Sequence, residues 1–85
     1  GVISVQAMVK PKEFSEMVRK GLAGDLETAK ELHFPQLEII DHIFAEGNPA
    51  GVKACLKIKG VCDEYVRLPL VEISRERYKT LEGLL

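Results

Sequence analysis

The residue types that most often carry chemistry are sparse in this chain. His33 and His42 lie nine positions apart, which is not the i, i+4 spacing that lets one helix hold a metal ion. Glu38, Asp41 and His42 follow one another at i, i+3 and i+4, so they could offer three ligands from one helical face. No matching segment supplies a fourth ligand. We therefore expect a solvated helix face here and no metal site.

The cysteines and the central lysine pair also suggest structural roles. Cys55 and Cys62 are too far apart for the Cys-x-x-Cys spacing of a redox or zinc site. Cys55 falls on the apolar side of a helix, where a thiol behaves as a small hydrophobe. A Schiff-base lysine needs desolvation that lowers its pKa, whereas Lys53 and Lys57 are expected to face water.

Two tyrosines complete the candidates. Tyr65 and Tyr78 could donate protons, but neither has an evident partner in the sequence. The chain has no glycine-rich phosphate loop and no Ser-His-Asp order. The residues by themselves therefore predict no catalytic site within this chain.

Composition narrows the class of protein. The 85 residues suit one small domain, and 46% of them are hydrophobic, as in an ordinary globular chain. Twelve Lys and Arg against thirteen Asp and Glu give a net charge of −1, which argues against a nucleic-acid partner. No apolar run has the roughly 18–20 residues of a membrane span. Two cysteines without a disulfide pattern favour a reducing, cytoplasmic setting.

Periodicity and capping residues predict four helices. Asp25 and Ser74 are placed to accept hydrogen bonds from the first turns of two of them, and Asn48 is a candidate cap for another. Pro35 should kink or interrupt the helix that contains it. Arg67 to Val71 is expected to be an extended connector, because Pro69 forbids helix. The helices are predicted over Pro11 to Ala23, Leu26 to Phe44, Pro49 to Lys59, and from Ser74 onward.

Within the long helix, the apolar residues should form two successive faces. The earlier face is predicted at Leu26, Ala29, Leu32 and His33, and the later one at Leu37, Ile40, Ile43 and Phe44.

The first residues raise a separate question. Val2 to Val5 is a short β-branched run that predicts a strand, followed by a loop from Gln6 to Lys10. No second convincing strand lies nearby to pair with it, and an unpaired strand leaves backbone donors and acceptors unsatisfied. We expect this segment either to pair with another chain or to belong to a larger fold.

Three signatures in this order carry a resemblance to a known family. They are Gly1 to Val5, then Gly47-Asn48-Pro49 followed by Val52-Lys53-Ala54, then Arg67-Leu68-Pro69-Leu70. Together they resemble the C-terminal part of dihydrodipicolinate synthase, and the resemblance covers essentially the whole chain. The sialic acid aldolases are related, but the segment from Arg67 to Leu70 is more similar to the synthase branch.

The resemblance implies an α/β fold: a (β/α)8 TIM barrel followed by a small helical domain. Residues 1–24 would be the last strand and helix of the barrel, and residues 25–85 the appended C-terminal helical domain. The isolated chain would be mostly α-helical. Two positions depart from the family pattern: Gly51 stands where a second proline is common, and the proline of the long helix is Pro35, where the family usually has it nearer Glu38.

The resemblance also implies a reaction for the parent protein. That enzyme would condense pyruvate with aspartate semialdehyde through a lysine Schiff base, in lysine and diaminopimelate biosynthesis, as a cytoplasmic homo-oligomer (a tetramer in the family) without a cofactor. The catalytic lysine, proton-relay residues and substrate arginine lie earlier in the family's chain. Lys53, Tyr65, Arg67 and Tyr78 do not occupy the corresponding positions, so no catalytic residue is expected here and the chain alone should be inactive.

One substrate contact does carry over. Ile3, on the last barrel strand, corresponds to a residue that touches bound pyruvate, although a plain barrel-core role for Ile3 is also open. Two alternatives remain for the whole protein. It could be a sialic acid or other keto-acid aldolase of the same family, or the chain could be an autonomous helical interaction module.

Overall fold

A computed structural model describes all 85 residues as five helices, joined by short connections except between the last two. No residue lies in a β-strand. No helix is long and apolar enough to cross a membrane. The helices are α1 (Gln6–Val9), α2 (Pro11–Leu22), α3 (Leu26–Ala45), α4 (Ala50–Ile58) and α5 (Arg75–Leu84).

Local capping explains where two of the longer helices begin. The Asp25 carboxylate accepts a hydrogen bond from the backbone N–H of Thr28 at 3.2 Å, at the start of α3. The Ser74 hydroxyl accepts one from the backbone N–H of Arg77 at 3.3 Å, at the start of α5. Each cap satisfies a donor that has no partner inside its helix. Both capping predictions are confirmed.

Helix α4 begins differently from the sequence-based expectation. Its N-cap is Pro49, no side chain caps it, and Ala50 is its first residue. Asn48 therefore is not the cap. The short helix α1 is a second difference, since Gln6 to Lys10 was expected to be a loop. The hydroxyl of Ser4 starts this helix by accepting from the backbone N–H of Ala7 at 3.1 Å.

Helix α3 runs without interruption through Pro35, so the expected break is not present. A proline lacks the N–H that would bond to the carbonyl four residues earlier, here that of Glu31. Pro35 and Glu31 are both exposed, which leaves this carbonyl open to water. Solvation on the outer side of the helix allows α3 to continue.

The predicted strand from Val2 to Val5 is not formed. These residues have no ladder of backbone hydrogen bonds. A strand needs a neighbour, and the described chain has no second extended segment that pairs with this one. Val2 and Ile3 are exposed, while Val5 packs against the core.

The core lies where α3, α4 and α5 meet, with α1 against its edge. On α3 the buried residues are Gln36, Ile39 and Ile43, whereas the predicted face members Leu37 and Phe44 are exposed. The predicted later face is therefore right at Ile43 and wrong at Leu37 and Phe44, because α3 is apolar on two sides and packing selects between them. The core residues are Val9, Ile39, Ile43, Ala50, Val52, Ala54, Cys55, Ile73 and Leu81.

A close approach of two helices depends on one small residue. A Cβ atom added at Gly51 would lie 1.9 Å from the backbone oxygen of Ile43, which is far inside any allowed contact. Gly51 is buried at the start of α4. The absence of a side chain therefore lets α4 rest directly on the α3 backbone.

Between α4 and α5, residues 59–74 form no helix, as expected around Pro69. The segment is not extended throughout, however. A turn at Leu68 and Pro69 is closed by a hydrogen bond of 3.0 Å from the N–H of Leu70 to the carbonyl of Arg67. Leu68, Leu70 and Val71 are exposed, because no other part of the chain covers this turn.

Candidate functional site

The candidate substrate contact, Ile3, lies on the exposed N-terminal segment. Its side chain is fully exposed, at 107% of its reference area, and makes no apolar contact with the core. The neighbouring Val2 is also exposed, at 66%. A branched apolar side chain in this position offers a surface against which a small apolar group can pack.

The residues after Ile3 are firmly anchored. Val9, at the end of α1, is completely buried in the core. Its carbonyl accepts a hydrogen bond from the ammonium of Lys59, which follows α4. Within α1, the N–H of Met8 donates to the carbonyl of Val5 at 3.1 Å. The segment that bears Ile3 is therefore followed by a helix whose end is held in the core.

A buried pair of amides ties α1 to α3. The Gln36 amide nitrogen donates to the Leu32 carbonyl at 2.8 Å, so its amide oxygen is left to accept from the Gln6 nitrogen at 2.9 Å. This chain of bonds fixes both amide orientations and leaves the buried Gln6 oxygen without a partner. The sequence analysis missed this pair, although Gln36 shares the i, i+3, i+7 face of Ile39 and Ile43.

The candidate metal ligands do not form a site. No group of three or more Asp, Glu, His or Cys side chains is placed to hold an ion. Instead, His42 Nδ1 lies 2.7 Å from Arg77 Nη1. A guanidinium only donates, so Nδ1 accepts and the imidazole proton resides on Nε2. Glu38 and Asp41 are exposed.

Arg77 belongs to a polar cluster that joins the end of α3 to the start of α5. Its Nε lies 2.7 Å from the carboxylate of Glu46. The same carboxylate accepts from the backbone N–H and the hydroxyl of Ser74, at 2.9 and 2.8 Å. Hydrogen bonds from the Ser74 backbone and side chain, then from Arg77, hold the pKa of Glu46 below its usual value. This cluster is structural, because each polar group satisfies another within the chain.

The cysteines behave as the sequence indicates. Cys55 is completely buried in the core, and burial raises the pKa of its thiol to about 11. A thiol needs a lowered pKa to act as a nucleophile near neutrality. Cys62 is exposed and unpaired. Neither residue lies in a cluster of groups that could activate it.

The central lysines are held by acceptors. The Lys57 ammonium lies 2.8 Å from the buried carboxylate of Glu64, and this hydrogen bond is the main cause that raises the pKa of Lys57. A Schiff-base lysine requires the opposite shift. Lys53 donates to the backbone carbonyl of Tyr65. The buried Glu64 was missed, because nothing in its local sequence distinguishes it from an exposed acid.

The tyrosines have no proton-transfer partner. The Tyr78 ring lies beneath two cations, with the Lys57 ammonium 5.8 Å and the Arg75 guanidinium 5.2 Å from its centroid. Such contacts stabilise through the ring face and leave the phenol uninvolved. The phenol of Tyr65 makes no hydrogen bond, and Tyr65 is exposed. Of the residues considered, only Ile3 is left as a candidate contact for a substrate.

Comparison with protein families gives a match along the entire chain. The dihydrodipicolinate synthetase family model matches residues 1–85. The relatives include two proteins named 4-hydroxy-tetrahydrodipicolinate synthase. The one from Methanocaldococcus jannaschii is 46% identical over 85 residues, and the one from Flavobacterium psychrophilum is 45% identical over 82. The alignments cover 100% and 96% of this chain.

A solved structure agrees with the sequence matches. The crystal structure of a dihydrodipicolinate synthase superposes on 99% of this chain with a TM-score of 0.90 and 45% identity. The chain spans only 29% of that structure and 28–29% of the two relatives. The matched region is their C-terminal part. Matches along essentially the whole of this chain, in sequence and in structure, together show that it belongs to the dihydrodipicolinate synthetase family.

Proposed function

We propose that this chain is the C-terminal part of an enzyme that condenses pyruvate with aspartate semialdehyde through a lysine Schiff base. The observation that carries the proposal is the family match over residues 1–85, with 40–46% identity to proteins named as the synthase. The names of these relatives favour the synthase over a sialic acid or other keto-acid aldolase. The product would enter lysine and diaminopimelate biosynthesis.

The proposal assigns different tasks to the two parts of the chain. Residues 1–24 would complete a TIM barrel as its last strand and helix, and residues 25–85 would form a helical domain packed beside it. The segment from Val2 to Val5, which pairs with no other segment of the chain, supports this assignment because a barrel would supply neighbouring strands. The parent enzyme would be a cytoplasmic homo-oligomer.

In the proposed reaction, a lysine outside this chain attacks the pyruvate ketone. Water leaves and an imine forms, loss of a methyl proton gives an enamine, and the enamine carbon attacks the aldehyde. Active sites of such barrels are built at the C-terminal ends of their strands. Ile3 would hold the pyruvate methyl group through apolar contact and so orient the carbon that becomes the nucleophile.

A chimera tests the proposal. The matching C-terminal region of the Methanocaldococcus jannaschii relative is replaced with these 85 residues, and condensation of pyruvate with aspartate semialdehyde is measured. We expect an active enzyme. A chimera that folds and assembles like its host but lacks activity would refute the proposed function.

Ile3 is tested in the same chimera. Ile3→Ala is expected to raise the KM for pyruvate about tenfold, since removing methyl or methylene contacts in a small pocket weakens binding by roughly that factor. Val61→Ala, at an exposed position after α4, is the control and should leave KM unchanged. An unchanged KM in Ile3→Ala would assign Ile3 to the barrel core alone.

The isolated 85-residue protein provides a complementary measurement. Incubation with pyruvate and borohydride should trap no covalent adduct. A Schiff-base lysine needs desolvation, whereas none of the eight lysines is buried, and Lys53, Lys57 and Lys59 are engaged with acceptors. Mass spectrometry would detect a reduced adduct directly. A trapped lysine would show that the chain carries its own imine-forming residue.

A further inference from the structure

A cavity of about 460 Å³ opens on the surface beside the start of α4. Its volume falls within the range of about 300–1,000 Å³ typical of small-molecule sites. Neither Ile3 nor any other residue assigned above to the pyruvate site lines it. The lining residues are Pro49, Lys53, Tyr65, Val66, Arg67 and Leu70.

The charges at this cavity are unbalanced. Lys53 and Arg67 line it, and no lining residue is acidic. Arg67 makes no ion pair or side-chain hydrogen bond within the chain, and Lys53 donates only to a neutral carbonyl. By contrast, Lys57 and Arg77 each have a carboxylate partner at 2.7–2.8 Å. Two cations therefore share one opening without a counter-charge.

The cavity is also partly organised for a ligand. The hydrogen bond from Lys53 to the Tyr65 carbonyl holds the ammonium at the wall and leaves two of its three donors free. Arg67 offers a planar fork of donors, whose geometry matches a carboxylate. Pro49, Val66 and Leu70 supply apolar surface that an inorganic anion would not use.

We propose that this cavity binds a small organic carboxylate. The carboxylate group is held between Lys53 and Arg67, and the short carbon chain of the ligand packs on Pro49, Val66 and Leu70. The site is separate from the proposed pyruvate contact at Ile3, and the proposal does not depend on the aldolase function.

Equilibrium dialysis of the chimera described above against labelled butyrate, at constant ionic strength, tests the proposal independently of the aldolase activity. We expect saturable binding of butyrate and no binding of butyramide, which has the same shape without the charge. Inorganic phosphate should compete poorly. Binding that rises without saturation, or equal binding of butyramide, would overturn the proposal, and phosphate that binds as tightly as butyrate would overturn its selectivity for organic carboxylates.

Variants then locate the site. Arg67→Gln should weaken butyrate binding about tenfold by removing a charge-assisted hydrogen bond, and Arg67→Lys should weaken it less. Arg67 has no partner in the chain, so these changes do not disturb the fold. Lys79→Gln removes an exposed cation from α5 and should have no effect. An equal loss in Lys79→Gln would indicate general attraction to positive charge and refute the assignment.

Discussion

At the scale of single residues, the roles in this chain depend on what each side chain touches more than on its type. His42, a candidate metal ligand by spacing, accepts a hydrogen bond from Arg77. Lys57, by type a possible nucleophile, is held as an ammonium by Glu64. The chemistry-bearing residue types of the chain are thus largely used to hold its helices together.

Gly51 gives a prediction at this scale. Gly51→Ala should lower the free energy of unfolding by about 1–3 kcal/mol, because the new Cβ would meet the Ile43 carbonyl and force α3 and α4 apart. Urea denaturation measures the change. Gly21→Ala in α2 is the matched control: nothing lies within 4 Å of its Cβ position, and this change should stabilise by up to about 1 kcal/mol. Equal effects at both positions would contradict the close contact.

Glu46 gives a prediction about pH. The pKa of Glu46 is lowered in the folded protein, mainly by Ser74, so its carboxylate stabilises the fold above its unfolded-state pKa. That contribution is lost as the pH falls through the lower, folded-state value. Stability should therefore decrease on acidification below about pH 5, and Glu46→Gln should reduce this dependence.

The pH dependence is measured by thermal unfolding between roughly pH 3 and 7. Some dependence should persist in Glu46→Gln, because the hydrogen bonds from Thr28 lower the pKa of Asp25 in the same sense. Glu82→Gln on α5, where the carboxylate has no partner, is the control. Identical pH profiles for Glu46→Gln and the unchanged protein would be inconsistent with the cluster.

At the scale of elements, the sequence predicted the helices better than their packing. The starts of α3 and α5 follow from Asp25 and Ser74, since a cap acts on donors within one turn. The buried side of α3 followed only at Ile43, because Leu37 and Phe44 are as apolar as Ile39. Only the positions of α4 and α5 decide which of these residues are covered.

The candidate site shows the same limit. Ile3 could be proposed through the family resemblance. Its exposure could not be predicted, because a β-branched run is typical of a paired strand. The buried amides of Gln6 and Gln36 were also beyond the sequence. Their contact joins residues 30 positions apart, and no local pattern encodes such a distance.

Pro35 gives a prediction about α3. Pro35→Ala should stabilise the protein, by up to about 3 kcal/mol, because the alanine N–H can bond to the Glu31 carbonyl within an already continuous helix. Chemical denaturation measures the gain. Ala29→Gly, earlier in α3, should instead destabilise by about 1 kcal/mol. A loss of stability in Pro35→Ala would mean that the proline sets a bend on which the packing of α3 depends.

At the scale of the whole molecule, the chain covers its apolar residues poorly. Only 13 of 85 residues are buried, and the accessible surface is 5750 Å², against roughly 5,000 Å² expected for a monomer of this mass. The radius of gyration is 13.8 Å, against about 12 Å for a protein of this length. The exposed apolar side chains include Ile3, Leu22, Phe34, Leu68 and Val71.

This excess surface predicts the behaviour of the isolated chain. The 85-residue protein should self-associate at micromolar concentration and bind the dye ANS, because its exposed apolar residues lack a cover. Sedimentation velocity and ANS fluorescence measure the two properties. A monodisperse, ANS-negative monomer would instead favour an autonomous helical module, the alternative considered from the sequence.

The contact between Gln6 and Gln36 has a consequence for the N-terminal segment. Because the Leu32 carbonyl fixes the Gln36 amide, the amide oxygen of Gln36 faces one position on α1, which Gln6 occupies. A slip of α1 by a single residue would carry Gln6 away and place an alkyl group against a buried amide. The contact with α3 therefore fixes the position of Gln6, and with it the point three residues after Ile3 from which the N-terminal segment extends.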